Sequence, residues 1–324
     1  MAQKSAKAAK TFIVNESYDK LLAALGWLHY ARSDQLTRLY HSPRSETLVR
    51  SRLRELVTHK YVSYLSLISD GKNTKRIYAL AGRGMNYLKD TGRVPEDRYF
   101  RPSDIDRSPF FLPHTLDVGD FLIACEILVR NDPRFQIITR KHDLDLRREK
   151  RAEAQKTKII KAVEDKVVEK KMYVYPDGFV LLSMSQGQDA PRKFGIWLEV
   201  DRNTKMDNTE FKDRIRGIYT YYASGEYEKK YGTKSLRVAY IITEGGHHRM
   251  RNLCELAQKE LASTNEKAKV ARIFRFAVAP PSWDYLDAEK RTGKPLDVVR
   301  NLFFNPVWHV PFEGHEQMPL LRIT

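Results

Sequence analysis

Two apolar stretches of the sequence carry carboxylates, YVYPDGFVLL at residues 173–182 and FGIWLEVDR at residues 194–202. Both are rich in β-branched and aromatic residues, which favours β-strands. The first stretch presents Asp177, and the second presents Glu199 and Asp201. Because an isolated charge is costly to bury, we expect these acids to hold a cation or a basic side chain. Carboxylates from neighbouring strands are a common way to hold a hard divalent cation, so the two stretches predict a sheet with a metal site or ion pairs at its end.

The composition indicates a polyanionic partner in a reducing compartment. The 324 residues include 57 Lys or Arg and 41 Asp or Glu, which gives a formal charge of +16. Nucleic acid fits this charge better than a membrane surface, because we find no long basic amphipathic helix. No apolar run approaches the about 20 residues that span a bilayer, and no secretory signal is recognisable. The two cysteines, Cys125 and Cys254, lie in apolar helical patterns, so we expect core thiols and a cytoplasmic protein.

Residues 15–95 predict a first domain of three helices, a β-hairpin and a last helix. Apolar residues recur at helical spacing in the segments predicted as helices. Alternation of apolar and polar residues predicts the two strands of the hairpin. The predicted elements are a helix capped by Asn15 or Ser17 and ending near residue 28, helices at 34–40 and 45–59, strands at 61–67 and 75–80, and a helix at 84–89. This order resembles a winged helix-turn-helix domain.

Two groups of residues in this domain are predicted to contact double-stranded DNA. An arginine on a helix can read guanine in the major groove, and a basic hairpin can reach phosphates or the minor groove. The candidates are Arg44, Thr47, Arg50, Ser51 and Arg54 around the third helix, and Lys72, Lys75 and Arg76 at the hairpin. Two alternatives stay open at this point: a solvated helix face without function, and a protein–protein adaptor.

The rest of the chain predicts a second, mixed α/β domain. A basic tail at residues 1–14 precedes the first domain, and a proline-containing linker at 96–112 follows it. Residues 113–285 then show the order α-β-β-β-α-β-α-β, which predicts a mixed sheet flanked by helices. A charged insertion at residues 142–171 is expected to be a solvated helix or loop, with a DNA-contacting arm as the alternative. Residues 286–324 are predicted to form a C-terminal strap, and two tryptophans in the tail leave a homodimer open.

The order of elements and the position of the acids resemble the PD-(D/E)XK nuclease superfamily over residues 113–280. Pro176-Asp177 matches the first motif, and Glu199-Val200-Asp201 stands where the (D/E)-x-K motif is expected. The resemblance implies that Asp177 and Glu199 hold Mg²⁺ while a lysine helps to activate the attacking water. Asp201 occupies the lysine position, and Lys212 on the following helix is the candidate replacement.

The acids of the second strand also fit a purely structural site that has no catalytic role. In this alternative, Glu199 and Asp201 pair with a basic side chain and simply hold a helix to the sheet. The basic candidates are Arg202, Lys212 and Arg216.

The two-domain layout resembles the replication-relaxation family of plasmids and other bacterial mobile elements. The residues that carry the resemblance are His114 and Val118 after the linker, the Pro-Asp-Gly turn at 176–178, and LEVDRNT at 198–204. Together with the predicted winged helix, the basic charge and the missing motif lysine, this resemblance leads us to expect a DNA-binding protein that acts in plasmid replication initiation, mobilisation or transcription control, with a degenerate nuclease-like domain. An Mg²⁺-dependent DNA endonuclease is the alternative.

Overall fold

The computed structural model divides into two compact units, Met1–Pro109 and Phe110–Thr324. The residues that it describes are 12–40, 45–69, 73–94, 111–149, 175–185, 190–203, 208–262, 272–279, 295–311 and 317–322. The predicted linker, most of the basic tail and most of the charged insertion lie outside these residues, as do Arg44 and Lys72. In the part of the chain that is described, no helix is long and apolar enough to cross a membrane.

The first unit has the order α1-β1-α2-α3-β2-β3-α4, which is that of a winged helix-turn-helix domain. The elements are α1 (Glu16–Leu28), β1 (Ala31–Arg32), α2 (Ser33–Tyr40), α3 (Glu46–Thr58), β2 (Val62–Ser69), β3 (Asn73–Leu80) and α4 (Gly82–Asp90). The hairpin strands pair antiparallel, and β1 pairs with the outer side of β3. The predicted helices and hairpin are therefore confirmed. The sequence missed β1, because two residues are too short to show an alternating pattern.

Local signals explain why the helices of this unit form where they do. The Asn15 side chain accepts from the backbone N–H groups of Ser17 and Tyr18 at 3.1 and 3.2 Å and so caps α1. Apolar residues of α3 at helical spacing are fully buried, namely Val49, Leu53 and Leu56. Because one face of α3 is used by the core, its opposite face is directed to solvent.

The second unit contains a mixed sheet with helices on both faces, as predicted. The elements are α5 (Leu112–Asn131), β4 (Phe135–His142), α6 (residues 143–149), β5 (Gly178–Met184), β6 (Arg192–Asp201), α7 (Asn208–Ala223), α8 (Glu226–Tyr231), β7 (Leu236–Ile242), α9 (Gly246–Ala262), β8 (Phe274–Val278), α10 (Pro295–Phe304), β9 (Trp308–His309) and β10 (Gln317–Met318). Among the described residues the strand order is β10-β9-β8-β7-β6-β5-β4. Strands β6, β7 and β8 are parallel, and the other pairs are antiparallel.

The two faces of this sheet are covered by different helices. Helices α7, α8 and α9 bury one face in a cluster that includes Trp197 and Phe274. On the other face, α5 and α10 meet through Phe121 and Phe303, whose ring centroids are 5.9 Å apart. Trp308 is fully buried and donates to a carbonyl of α10. This tryptophan is therefore a core residue of its own unit, and the tail adds α10, β9 and β10, which the sequence did not predict as separate elements.

The two cysteines are buried and unpaired, as expected from their apolar surroundings. Cys125 lies in α5 and Cys254 in α9. Burial raises the pKa of Cys254 to about 12 and raises that of Cys125 as well. Both side chains are therefore thiols that pack in the core.

A close contact between the sheet and α8 requires glycine at position 195. Gly195 lies within β6, and Tyr227 of α8 packs directly against it. The Tyr227 side chain is fully buried, and its hydroxyl donates to the Ser235 carbonyl at 3.1 Å. A Cβ atom at position 195 would overlap with the Tyr227 hydroxyl oxygen, so only glycine admits the tyrosine here.

Gly195→Ala is expected to lower the free energy of unfolding by about 1–3 kcal/mol, the usual cost of overpacking a core. Gly82→Ala is the matched control, because nothing lies within 4 Å of a Cβ atom at that position of α4, and it should be neutral or stabilising. Urea denaturation measures both. Tyr227→Phe removes the clashing oxygen, so Gly195→Ala should be less harmful in that background. An undiminished loss there would show that the contact is not the cause.

Candidate functional site

Asp177 lies where the chain enters β5, and its carboxylate is tied to three neighbours. The Asp177 N–H donates to the Leu198 carbonyl at 2.9 Å, which fixes the residue beside β6. Oδ2 accepts from the Val200 N–H at 2.9 Å and lies 3.2 Å from Nε2 of His114 in α5. Oδ1 lies 3.8 Å from Nη2 of Arg214 in α7. The carboxylate is therefore held between a strand and two helices.

Glu199 is almost completely buried in β6, and both of its oxygens accept hydrogen bonds. Its side chain is 3% exposed. Oε1 accepts from the indole Nε1 of Trp197 at 2.6 Å, and Oε2 accepts from Nε of Arg214 at 2.5 Å. Arg214 also donates from Nη2 to the Tyr175 carbonyl at 2.9 Å. One guanidinium thus joins α7 to β6 and to the segment that leads into β5.

Ion pairs also connect the end of β6 to α9 and to α5. Asp201 accepts hydrogen bonds from Nε and Nη2 of Arg249 in α9, at 2.9 and 3.2 Å. Such a bidentate pair is among the strongest contacts between an arginine and a carboxylate. The next residue, Arg202, pairs with Asp117 of α5 and with Glu244 just before α9. Both oxygens of Asp201 are therefore bound to Arg249.

The structure brings Asp177 and Glu199 together, as the sequence predicts, but with a different basic partner. Arg214 contacts both carboxylates, whereas the described residues provide no hydrogen bond or ion pair for the side chain of Lys212. Arg216, the other predicted partner, pairs with Glu260 of α9 at 2.7 Å. The predicted contact of Lys212 with the carboxylates is therefore not made.

Sequence analysis missed Arg214 although a signal for it exists. Helix α7 buries Phe211, Ile215 and Ile218. Arg214 follows Phe211 by three residues and precedes Ile218 by four, so it lies on the buried face of the helix. An arginine on an apolar helix face, opposite a strand with a buried acid, is the pattern that predicts this pair. His114 entered the analysis only through a family pattern, without a partner.

The surroundings set the charge of each group in this site. Burial raises the pKa of Glu199 to about 7, because the Arg214 guanidinium offsets the loss of solvation only in part. Burial also acts to raise the pKa of Asp177, but His114, Arg214 and the Val200 N–H together outweigh it and lower that pKa. Burial would lower the pKa of His114, yet the same pair with Asp177 raises it. Asp177 is therefore held ionised, and the protonated form of His114 is favoured.

The donor set around Asp177 and Glu199 does not fit a divalent cation. Mg²⁺ requires carboxylate oxygens that are free to coordinate it. Here three of the four oxygens accept hydrogen bonds, and the fourth faces the Arg214 guanidinium. Within the described ranges, no group of three or more His, Cys, Asp or Glu residues could hold a metal ion. The Mg²⁺ site stays a prediction, and the geometry agrees better with the alternative of carboxylates that pair with arginines.

In the first unit, α3 exposes polar side chains that have no partner within the protein. Thr47, Ser51 and Arg54 follow one another at intervals of four and three residues and are exposed on one face of the helix. Across the described residues, none of these three side chains forms a hydrogen bond or an ion pair. Arg50 lies on the same face, and we refer to these four residues as the α3 surface.

Arg50 differs from the rest of the α3 surface because it is already paired. Its Nη2 lies 2.6 Å from Oε1 of Glu46, one turn earlier in the helix, and its Nε donates to the Ser33 hydroxyl at 3.3 Å. The sequence treated Arg50 and Arg54 as equivalent, whereas in the structure Arg50 pairs with Glu46 and Arg54 has no counter-charge among the described residues.

The hairpin places two predicted basic residues on β3. Lys75 and Arg76 are both exposed. The Arg76 guanidinium lies 4.6 Å from the ring centroid of Tyr64 on β2, which is the geometry of a cation–π contact. Arg76 is therefore held against the hairpin.

A family model described as replication-relaxation matches residues 22–236, more than half of the chain. The chain belongs to the replication-relaxation family. The replication-relaxation match includes α3, the hairpin, Asp177 with the following strand β5, and β6 with Glu199 and Asp201, and it ends where β7 begins. The resemblance seen in the sequence is therefore confirmed at the level of the family.

Comparisons with other proteins add little to this family assignment. The chain matches no curated protein. A solved structure that it resembles is that of Bacillus subtilis PadR in complex with operator DNA, at 13% sequence identity and a TM-score of 0.19. The match covers 47% of this chain and 80% of the PadR chain. The superposition is too poor for this likeness to bear on fold or function.

Arg214→Met is expected to destabilise the second unit by about 3 kcal/mol or more, because it leaves Glu199 buried without its cation. Lys212→Met is the matched control on the same helix and should change the free energy of unfolding by less than about 0.5 kcal/mol, since Lys212 has no partner among the described residues. Chemical denaturation followed by circular dichroism measures both variants. Equal effects of the two substitutions would contradict the role of Arg214.

Proposed function

We propose that this member of the replication-relaxation family binds double-stranded DNA through the α3 surface and the β2–β3 hairpin. The binding would serve replication initiation, mobilisation or transcription control of a bacterial mobile element. The observation that carries the proposal is the exposed row of Thr47, Ser51 and Arg54, whose side chains have no partner among the described residues. The formal charge of +16 and the winged-helix order of the first unit also support it.

The α3 surface has the chemistry that base recognition requires. An arginine without a counter-charge can donate two hydrogen bonds to O6 and N7 of guanine, and hydroxyl groups can donate to or accept from several bases. Arg54 fits the first role, and Thr47 and Ser51 fit the second. Because they share one face of a helix, all three side chains can reach the same stretch of major groove.

Arg50 suits a supporting role better than base recognition. Its pair with Glu46 must be broken or shared before the guanidinium can bind a new acceptor. An exposed ion pair of this kind is worth less than about 1 kcal/mol, so Arg50 remains able to turn towards a phosphate. We therefore assign base recognition to Arg54 and backbone contact to Arg50.

The hairpin is suited to contact with the DNA backbone. Lys75 is exposed and has no partner in the part of the chain that is described. Arg76 is kept in place by the Tyr64 ring, which reduces the freedom it would lose on binding. Contacts of this type position a protein on the duplex and carry no sequence information.

For the second unit, we propose that the carboxylates stabilise the fold by ion pairs and do not catalyse the cleavage of DNA. Asp177, Glu199 and Asp201 pair with His114, Arg214 and Arg249, which come from three different helices. Such pairs hold helices to a sheet and leave few oxygens for a metal ion. The carboxylates thus support the packing of a nuclease-like domain.

Arg54→Ala is expected to weaken binding to duplexes selected from a random pool by about 1–3 kcal/mol, the value of one good arginine–base contact. Arg50→Ala should have a smaller effect, because Arg50 is already paired. Fluorescence anisotropy over a range of salt concentrations gives the affinity and its salt dependence, which should be steep.

Lys20→Ala is the matched control for this experiment. It removes one positive charge from the same unit, at α1, where Lys20 pairs with Glu16. Its effect on affinity should be small. A loss equal to that of Arg54→Ala, or an affinity that does not respond to salt, would overturn the assignment of α3. Failure to select any duplex would favour the protein–protein adaptor.

Incubation of supercoiled plasmid with the protein and Mg²⁺ or Mn²⁺ tests whether the carboxylates are structural or catalytic. The measured quantity is the rate of nicking. We expect wild type and Asp177→Ala to give the same background rate, because Arg214 competes with a cation for the carboxylates. Metal-dependent nicking by wild type that Asp177→Ala abolishes would instead establish the endonuclease. Arg214→Met serves as a second control, since it frees the Glu199 carboxylate from its pair.

A further inference from the structure

Leu48 is a leucine that helix α3 presents to solvent. Its side chain is 47% exposed. The other large apolar side chains that are exposed among the described residues lie on strands or outside helices and strands, and they are Ile13, Tyr64, Phe111, Ile138 and Val307. Single exposed apolar residues are common on protein surfaces and need no explanation by themselves. What sets Leu48 apart is that it lies on the helix that the proposed function places in the major groove of DNA.

Leu48 lies in the first turn of α3, beside the α3 surface. It is the third residue of the helix and precedes Ser51 by three residues, so the two side chains are neighbours on the helix surface. Val49, Leu53 and Leu56 supply the buried face. In a helix-turn-helix domain, the residues near the N-terminus of the recognition helix contact the edges of the bases. Leu48 therefore lies where base contacts are expected.

The described residues of α3 around Leu48 form no apolar patch. The other exposed residues of this helix are polar or charged, namely Thr47, Arg50, Ser51, Arg54, Glu55 and Thr58. Surfaces that bind another protein through apolar contacts usually present a contiguous apolar patch on the order of a few hundred Å². One leucine within a row of polar side chains suits a small apolar group that is itself surrounded by polar atoms.

The major groove of unmodified DNA offers one apolar group of this size, the methyl group at C5 of thymine. The neighbouring group on the same base edge is O4, which accepts hydrogen bonds. Leu48 and Ser51 can match both groups, because the leucine can cover the methyl group while the adjacent hydroxyl donates to O4. Removing a methyl group from water is favourable, and its burial corresponds to about a fourfold gain in affinity.

We propose that Leu48 recognises thymine by packing against its 5-methyl group. The proposal rests on the proposed function, because it takes α3 as the helix in the major groove and Arg54 as the residue that recognises guanine. Arg54 follows Leu48 by six residues, or about 9 Å along the helix axis. Base pairs are about 3.4 Å apart, so we expect the thymine within about three base pairs of the guanine. Leu48 thus adds a second base to the preferred sequence.

Exchange of thymine for deoxyuridine tests the contact, because it removes the 5-methyl group and leaves O4 in place. The full chain is used with duplexes selected from a random pool, and each thymine is exchanged in turn. Wild type is expected to bind about fourfold more weakly when one particular thymine is exchanged. Leu48→Ala should bind the thymine duplex more weakly by about the same factor, and exchange of that thymine should then cause no further loss. Fluorescence anisotropy measures the affinities, and the non-additivity of the two changes identifies the contact.

Two further variants control for effects that do not depend on the methyl group. Ile138→Ala is the matched control, since Ile138 on β4 is an aliphatic residue that is 46% exposed. It should leave both the affinity and the response to deoxyuridine unchanged. Leu48→Met keeps an apolar side chain of similar volume and should retain the preference for thymine over deoxyuridine. Leu48→Ala is expected to fold, because Leu48 is exposed and alanine is the best helix former, and circular dichroism checks this.

5-Methylcytosine carries the same methyl group next to an amino group in place of O4. Cytosine is therefore exchanged for 5-methylcytosine in the same duplexes as a further arm of the experiment. A gain in wild-type affinity on that exchange, together with no loss at any thymine, would overturn thymine as the base that Leu48 recognises.

The remaining outcomes separate this contact from the proposed function of α3. Equal losses for Leu48→Ala on thymine and deoxyuridine duplexes would overturn the proposal, and so would wild-type binding that no exchange of thymine weakens. If Arg54→Ala weakens binding in either case, the proposed function stands and only the role of Leu48 fails. If Arg54→Ala has no effect while the thymine contact is observed, Leu48 stands and the guanine contact of Arg54 fails. If no duplex is selected, both proposals fail.

Discussion

Glu199 is a buried acid two residues before the end of β6, and the second unit is arranged to make its burial possible. An unpaired carboxylate would be strongly unfavourable there. Its two oxygens are taken by the Trp197 indole and by Arg214, which reaches it from α7. The same guanidinium contacts Asp177 and the Tyr175 carbonyl. Because one side chain serves all three acceptors, the position of α7 is fixed to the strands by charge as well as by apolar packing.

Similar pairs between acids and basic side chains attach α5 and α9 to the sheet around β6. His114 binds Asp177 from α5, and Arg249 binds Asp201 from α9. Arg202 adds a link between α5 and the turn before α9. The acids that resemble a nuclease motif thus lie where several helices converge.

The presence or absence of a counter-charge separates structural arginines from those that are available for binding. Arg214 is paired with buried carboxylates, whereas Arg54 on α3 has no acid beside it in the described parts of the chain. A net charge of +16 alone cannot make this distinction. Free cations are the ones that can release counterions from a phosphate backbone, so they are where salt-dependent binding is expected.

The sequence by itself determined the elements that depend on neighbouring residues. Helical spacing predicted α3 and its exposed face, a cap at Asn15 or Ser17 predicted the start of α1, and apolar runs predicted the strand after Asp177 and the strand of Glu199. Short elements such as β1 and the C-terminal strands contain too few residues for an alternation of apolar and polar residues to be recognised. Only the tertiary structure decided which cation meets each acid. Arg214 is preferred to Lys212 because a shift of two positions turns a side chain to another face of the helix, and charge pairing depends on distance in space.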